Sequence, residues 1–157
     1  MASQAVLTAD RGGHYSHVGM VVDSCGTVMV VHAVPGEPDF RGDEDRVKME
    51  PAEQFFARER AAAGAVCRLT DSVRAARAAE VAVGVYRRHV LFDHDYDDTD
   101  TTRMYCSELV AYALQQAGYD MTAVGRHQVD MPFLHVSCIF PSDIWKMPFV
   151  TIVFREF

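Results

Sequence analysis

One cysteine and two histidines hold the chemistry that this chain's residue types suggest. Cys106 stands in Arg103-Met104-Tyr105-Cys106-Ser107-Glu108-Leu109-Val110, after a loop and at the head of a segment whose apolar residues Leu109, Val110, Ala113 and Leu114 recur at helical spacing. A thiol at a helix start faces unpaired backbone N–H groups and the positive end of the helix dipole, and both favour the thiolate. The N–H of the same residue is placed to donate to an oxyanion developing on an attacked carbonyl. The competing reading is a buried, inert cysteine.

A cysteine nucleophile needs a base, and the base needs something to orient it. His17 begins one strand and His32 lies near the end of the next, with a turn at Asp23-Ser24-Cys25-Gly26 between them. The hairpin sets the strand ends side by side, so the two histidines fall within a register step of one another, which suits a base and its orienter. Without Cys106 the same pair reads as two ordinary half-buried histidines.

The other clusters carry less. His14 and His17 spell His-x-x-His, but Gly12-Gly13 puts them in a loop, where zinc-ligand spacing loses its meaning, and no third ligand stands out. Asp93-His94-Asp95-Tyr96-Asp97-Asp98 fails as a calcium loop, because the sixth place holds Asp98 rather than Gly and the twelfth holds Met104 rather than Glu. No phosphate-cradling glycine motif and no Gly-x-Ser-x-Gly elbow occurs. Cys25 falls in a turn, Cys67 and Cys138 in apolar strands, and no two cysteines stand at CxxC spacing. No partner is evident for His89, His94, His127 or His135. No metal or cofactor is expected.

The elements that must position Cys106, His17 and His32 read as α+β. The first third is β: a strand end at Val6-Leu7, a strand over 17–22, a return strand over 27–34 and a short strand over 47–50. Pro51 then stands at a first helical position, and the spacing predicts a helix over 52–63 with Phe55 and Phe56 inward, closed by Gly64. A strand follows over 65–69. A second helix, capped by Thr70 or Asp71, runs to about His89, and residues 93–102 form an acidic loop. The Cys106 helix extends to Gln116, with Gly118 as its C′ residue. A strand over 135–140, a helical turn from Pro141-Ser142-Asp143 and a last strand over 149–154 complete the chain.

With 157 residues, 49% of them hydrophobic and 24% charged, the chain reads as one globular domain over 1–157. The formal charge of −7 argues against nucleic acid as a partner, because phosphate binding needs a basic footprint. No signal peptide precedes the first strand and no apolar run reaches the ~20 residues of a membrane helix, so a cytoplasmic protein without stable membrane insertion is expected. The oligomeric state is not legible.

Four blocks occur in order: Ser16-His17-Val18-Gly19-Met20-Val21-Val22, Val31-His32-Ala33-Val34-Pro35-Gly36, Tyr105-Cys106-Ser107-Glu108-Leu109-Val110 and Pro141-Ser142-Asp143-Ile144. This set resembles the permuted papain-like amidases of the YiiX/YaeF kind, within the NlpC-type cysteine peptidase superfamily, from about residue 5 to 146. The resemblance implies a circularly permuted papain-like fold with a central antiparallel sheet packed against the nucleophile helix. It also implies Cys106 as nucleophile, His17 as base and His32 as the third, orienting residue, with Tyr105 and Ser16 at the oxyanion or substrate site. Family members often carry Glu at the third place, where this chain has His32. Many also begin with a Gly-Asp-containing strand and a leader, which are not seen here.

The activity so implied is a thiol hydrolase acting on a peptide or acyl-amide substrate through a Cys acyl-enzyme, with an amide in a cell-wall or γ-glutamyl-type peptide as the expected target. Lipid acyl transfer of the lecithin:retinol acyltransferase type is the second reading. Those relatives usually show Asn-Cys-Glu where this chain has Tyr-Cys-Ser-Glu. A binding module on an inactive scaffold is the third.

Overall fold

A two-residue turn sets the geometry of the first hairpin. Cys25 and Gly26 both take positive φ, 54° and 83°, which gives a turn whose twist matches that of the flanking strands. It joins β1, Met20–Ser24, to β2, Thr27–Val34, in antiparallel register from Ser24↔Thr27 to Met20↔Val31. On its other edge β2 pairs with β3, Arg46–Pro51, with His32 opposite Lys48 and Val30 opposite Glu50. The computed structural model describes residues 10, 13–97, 99–131 and 134–156, with the side chains of Met131 and Leu134 excepted; the expected strand at Val6-Leu7 lies outside them.

Two short strands, β5 (Leu91–Phe92) and β6 (Arg103–Met104), extend this sheet to the order β1-β2-β3-β5-β6, the last pair parallel. The sheet is therefore mixed, antiparallel except at its β5–β6 edge. Two antiparallel ribbons stand beside it: β4 (Gly64–Leu69) with β9 (Val150–Glu156), and β7 (His127–Met131) with β8 (Leu134–Cys138). Residues 127–131 are read as loop in the sequence.

The helices fall close to expectation, with one exception. Only Ala52–Phe55, α1, is helical in the stretch expected to run to residue 63. Beyond it the chain passes through turns, and Arg60 reaches back to Gln54 O and Glu50. An ion pair to the sheet thus overrides a run of good helix formers. Next comes α2, Ser72–Arg87, capped by Asp71, whose carboxylate accepts the N–H groups of Val73 and Arg74. Then α3, Cys106–Gln116, ends where Tyr119 N–H donates to Leu114 O and Gly118 takes φ 90°. The single-turn α4 spans Pro141–Trp145.

The two faces of β2 divide the interior. Val31 and Ala33 point into a core built with Ala78, Ala82 and Val85 of α2 and Leu109, Ala113 and Leu114 of α3. Alternation then sends Val30 and His32 to the opposite face, together with Lys48 and Glu50 of β3. All four of these residues are buried.

Candidate active site

The site begins with a missing side chain. Extending the β1–β2 register by one pair places Gly19 opposite His32. A Cβ at Gly19 would stand 2.5 Å from Val30 Cγ1, 3.0 Å from Val31 O and 3.2 Å from His32 Cβ. The glycine lets the chain press against β2, and His17, two residues back on the same face, reaches His32 diagonally. Their rings meet with His17 Nε2 2.9 Å from His32 Nδ1. Phe55 of α1 lies against both, at centroid distances of 5.6 and 5.2 Å.

The histidine pair continues into a carboxylate that sequence reasoning missed. His32 Nε2 lies 3.0 Å from Glu50 Oε1. The approach is too oblique for a well-formed hydrogen bond, so Nε2 is buried without one among the described residues, yet the carboxylate oxygen is the polar atom it faces. Both oxygens of Glu50 accept from Arg60 Nη1 at 2.8 Å, and Arg60 Nη2 also bonds Glu37. A connected line therefore runs His17, His32, Glu50, Arg60. The available signal was the alternation Val47-Lys48-Met49-Glu50, which puts Glu50 on one face with Lys48, but an alternating charged residue reads equally well as solvent-facing.

Burial holds both imidazoles neutral. Desolvation, then the neighbouring His32, takes His17 down to about 3. Desolvation, then the Arg60 and Lys48 charges, takes His32 down to about 4.

Cys106 is half-buried and heads α3. Backbone N–H groups of Val18, Ser107 and Cys106 itself converge on its sulfur, and Ser107 Oγ lies 3.9 Å away. The expectation of a lowered thiol pKa is corrected here: burial outweighs these donors and pushes the Cys106 thiol up. The Val18 N–H bond places the sulfur beside the residue that follows His17. Among the described residues no hydrogen bond joins the thiol to the imidazole: His17 Nε2 faces His32, and the side chain that the Cys106 sulfur meets is Ser107.

Tyr105 is buried, and its hydroxyl accepts Ile139 N–H at 2.9 Å, tying the head of α3 to the segment before α4. Glu108 caps the same helix by accepting Tyr105 N–H. Ser16 and His17 line a cleft of about 480 Å³. Its walls are mainly apolar, from Val18, Met20, Val30, Phe55, Val66, Leu69, Val110, Leu114, Ile144, Trp145 and Ile152. Tyr15 Oη and Trp145 Nε1, on residues that line it, are buried with no hydrogen-bond partner among the described residues.

Three of the histidines without an evident partner in the sequence have one: His94 with Asp45, His127 with Asp143 and His135 with Asp130. Among the described residues no three His, Cys, Asp or Glu side chains cluster as metal ligands.

The family model described as permuted papain-like amidase enzyme, YaeF/YiiX, C92 family, matches residues 3–154. The chain belongs to this family. Its members are papain-like amidases and peptidases, and the mixed α+β architecture with a curled sheet is theirs. A crystal structure of a protein titled metalloprotein yiiX, from Escherichia coli O157:H7, superposes with a TM-score of 0.74 at 22% identity, covering 99% of this chain and 90% of that one. No curated protein matches the chain.

Proposed function

We propose that this permuted papain-like amidase is a cysteine hydrolase that cleaves an amide through a thioester on Cys106, with His17 as base and His32 as the residue that orients it. The observation that carries the proposal is the pairing of His17 Nε2 with His32 Nδ1 at 2.9 Å, next to Val18, whose N–H bonds the Cys106 sulfur. With Nε2 turned to His32, Nδ1 is the His17 nitrogen left to take a proton.

The steps follow from that arrangement. The Cys106 S–H proton passes to His17 as sulfur bonds the carbonyl carbon, and the carbonyl π pair moves to oxygen. The N–H groups of Cys106 and Ser107, already aimed at this region, stabilise that oxyanion. Collapse breaks the C–N bond, and His17 gives its proton to the leaving amine. Water then loses a proton to His17, adds to the thioester and releases the carboxylic acid with the thiol restored. Tyr105 acts here by anchoring the head of α3, and Ser16 by lining the substrate cleft.

Lipid acyl transfer is the second reading, favoured by the apolar lining of the cleft beside His17. In that case an alcohol or amine replaces water in the last step.

Incubation with p-nitrophenyl esters and p-nitroanilides, followed by intact-protein mass spectrometry, tests the common first half. An acyl adduct is expected on Cys106 alone, absent in Cys106→Ala, with release slowed by about 10²-fold or more in His17→Ala. Absence of an adduct, or equal adducts on Cys25, Cys67 and Cys106, would point to an inert binding module.

A further inference from the structure

We infer that Glu50, held by Arg60, is a positioning residue that fixes the tautomer of both histidines and so leaves the proton-accepting lone pair of His17 on Nδ1. The inference rests on the reading of His17 as the base, and it concerns residues that the Cys-His-His assignment does not contain.

The argument is one of proton accounting. Two neutral imidazoles joined Nε2 to Nδ1 share one N–H in that bond. In one arrangement His17 Nε2–H donates to a bare His32 Nδ1. His32 then carries its proton on Nε2, and His17 Nδ1 is bare. In the other arrangement His32 Nδ1–H donates to a bare His17 Nε2. His32 Nε2 is then a lone pair, and His17 Nδ1 carries a proton and accepts none. In isolation, the intrinsic tautomer preference of histidine favours the first arrangement only modestly.

Glu50 separates them. Its Oε1 stands 3.0 Å from His32 Nε2. An N–H there meets an anion, whereas a lone pair there meets another lone pair on a negatively charged atom. The oblique approach weakens the hydrogen bond but leaves this difference in sign, which is largest in a buried, low-dielectric place. Arg60 supplies the condition that the Glu50 carboxylate stay aimed: its Nη1 bonds both carboxylate oxygens at 2.8 Å. Arg60 is held in turn by Glu37 and by Gln54 O. The other charged groups around the pair are Lys48, opposite His32, and Asp39, bonded to Lys48 at 2.8 Å; neither offers a hydrogen bond to a ring nitrogen.

Two-dimensional ¹⁵N NMR of histidine-labelled protein near pH 7 reads the tautomers directly and needs no substrate. The wild type is expected to show both rings protonated at Nε2 and bare at Nδ1. A proton on His17 Nδ1 would overturn the proposal, whether or not any variant folds. In Glu50→Gln, Arg60 claims the amide oxygen and turns the amide NH₂ toward His32. The expected result is protonation moved to Nδ1 on both rings, with kcat/KM lower by about 100-fold or more and KM little changed. Glu50→Asp keeps the anion and is expected to retain the wild-type tautomers and to recover most of the activity. Unchanged tautomers in Glu50→Gln, or equal losses in both variants, would reduce Glu50 to a structural ion pair. Cys106 acylation is scored separately, so failure of the relay is distinct from failure of the nucleophile assignment.

Discussion

The electrostatics of the site favour a thiol and two neutral imidazoles over a thiolate–imidazolium pair. Burial pushes the Cys106 thiol up and brings His17 down to about 3, so in the mechanism proposed above proton transfer would accompany attack instead of preceding it. Iodoacetamide reports on thiolate already present. Its reaction with Cys106 is therefore expected to be slow at pH 7 and to climb beyond the ordinary thiol range of about 8.5. A rate plateau below pH 7 would show a preformed ion pair instead.

The same shifts carry a stability consequence. In the unfolded chain each histidine binds a proton below about 6.5, whereas folded His17 and His32 stay neutral down to about 3 and about 4. Below 6.5 the unfolded state thus holds the extra protons. The stability contributed by each neutral ring is complete above that pH and is lost as pH falls toward the folded value, by at most roughly 1.4 kcal/mol per pH unit per ring. Urea midpoints between pH 7 and 5 should fall for the wild type and fall less steeply for His17→Gln. Parallel curves would mean that His17 is as easily protonated folded as unfolded. Residue type pointed to Cys106, His17 and His32, because thiols and imidazoles are scarce and their motifs distinctive. Glu50 and Arg60 were not legible: carboxylates and guanidiniums are common, and only the β2–β3 register brings Glu50 to His32.

At the scale of elements, the hairpin was the most legible part. Thr27–Val34 forms the return strand over the residues expected, because β-branched residues and a tight turn at Cys25-Gly26 fix it. Helix α3 was equally clear from its periodicity and its terminal Gly118. The expected helix over 52–63 was not, since propensity says nothing of an Arg60 drawn to a buried Glu50. The ribbon β7–β8 escaped for a related reason: its first strand lacks a distinctive pattern and exists through pairing with β8. Gly19 ties this scale to the chemistry. A methyl group there has Val30 Cγ1 at 2.5 Å and His32 Cβ at 3.2 Å, so β1 and β2 must part or His32 must turn. Gly19→Ala is expected to cost about 1–3 kcal/mol in unfolding free energy and to lower kcat/KM beyond what the stability loss explains. Full activity at wild-type stability would show that the close approach of Gly19 to β2 does not position the histidines.

The whole molecule adds what neither residues nor elements foretold, a cleft walled by segments far apart in sequence. The turns after α1, the β4–β9 ribbon, the start of β1 and α4 all contribute to it, and its lining is largely Val, Leu, Ile, Ala and Phe. No periodicity in the chain announces such a space, because each of these side chains reads locally as core. Its position beside His17 sets the two substrate readings against each other. If an acyl chain occupies the cleft, each added methylene leaves water for an apolar wall, which is worth about 0.8 kcal/mol, or roughly fourfold, when expressed in the transition state. A series of p-nitrophenyl esters of increasing acyl length should then show kcat/KM rising by up to that factor per carbon and levelling off once the cleft is full. If a peptide is the substrate, side-chain and backbone polar groups would be met instead, and Tyr15 Oη and Trp145 Nε1 beside the cleft are donors left unsatisfied among the described residues. Tyr15→Phe would then weaken amide substrates by about 1–3 kcal/mol while leaving acyl length without effect. A rising ester series together with an indifferent Tyr15→Phe would move the assignment to acyl transfer, and the reverse pattern would keep it with amide hydrolysis.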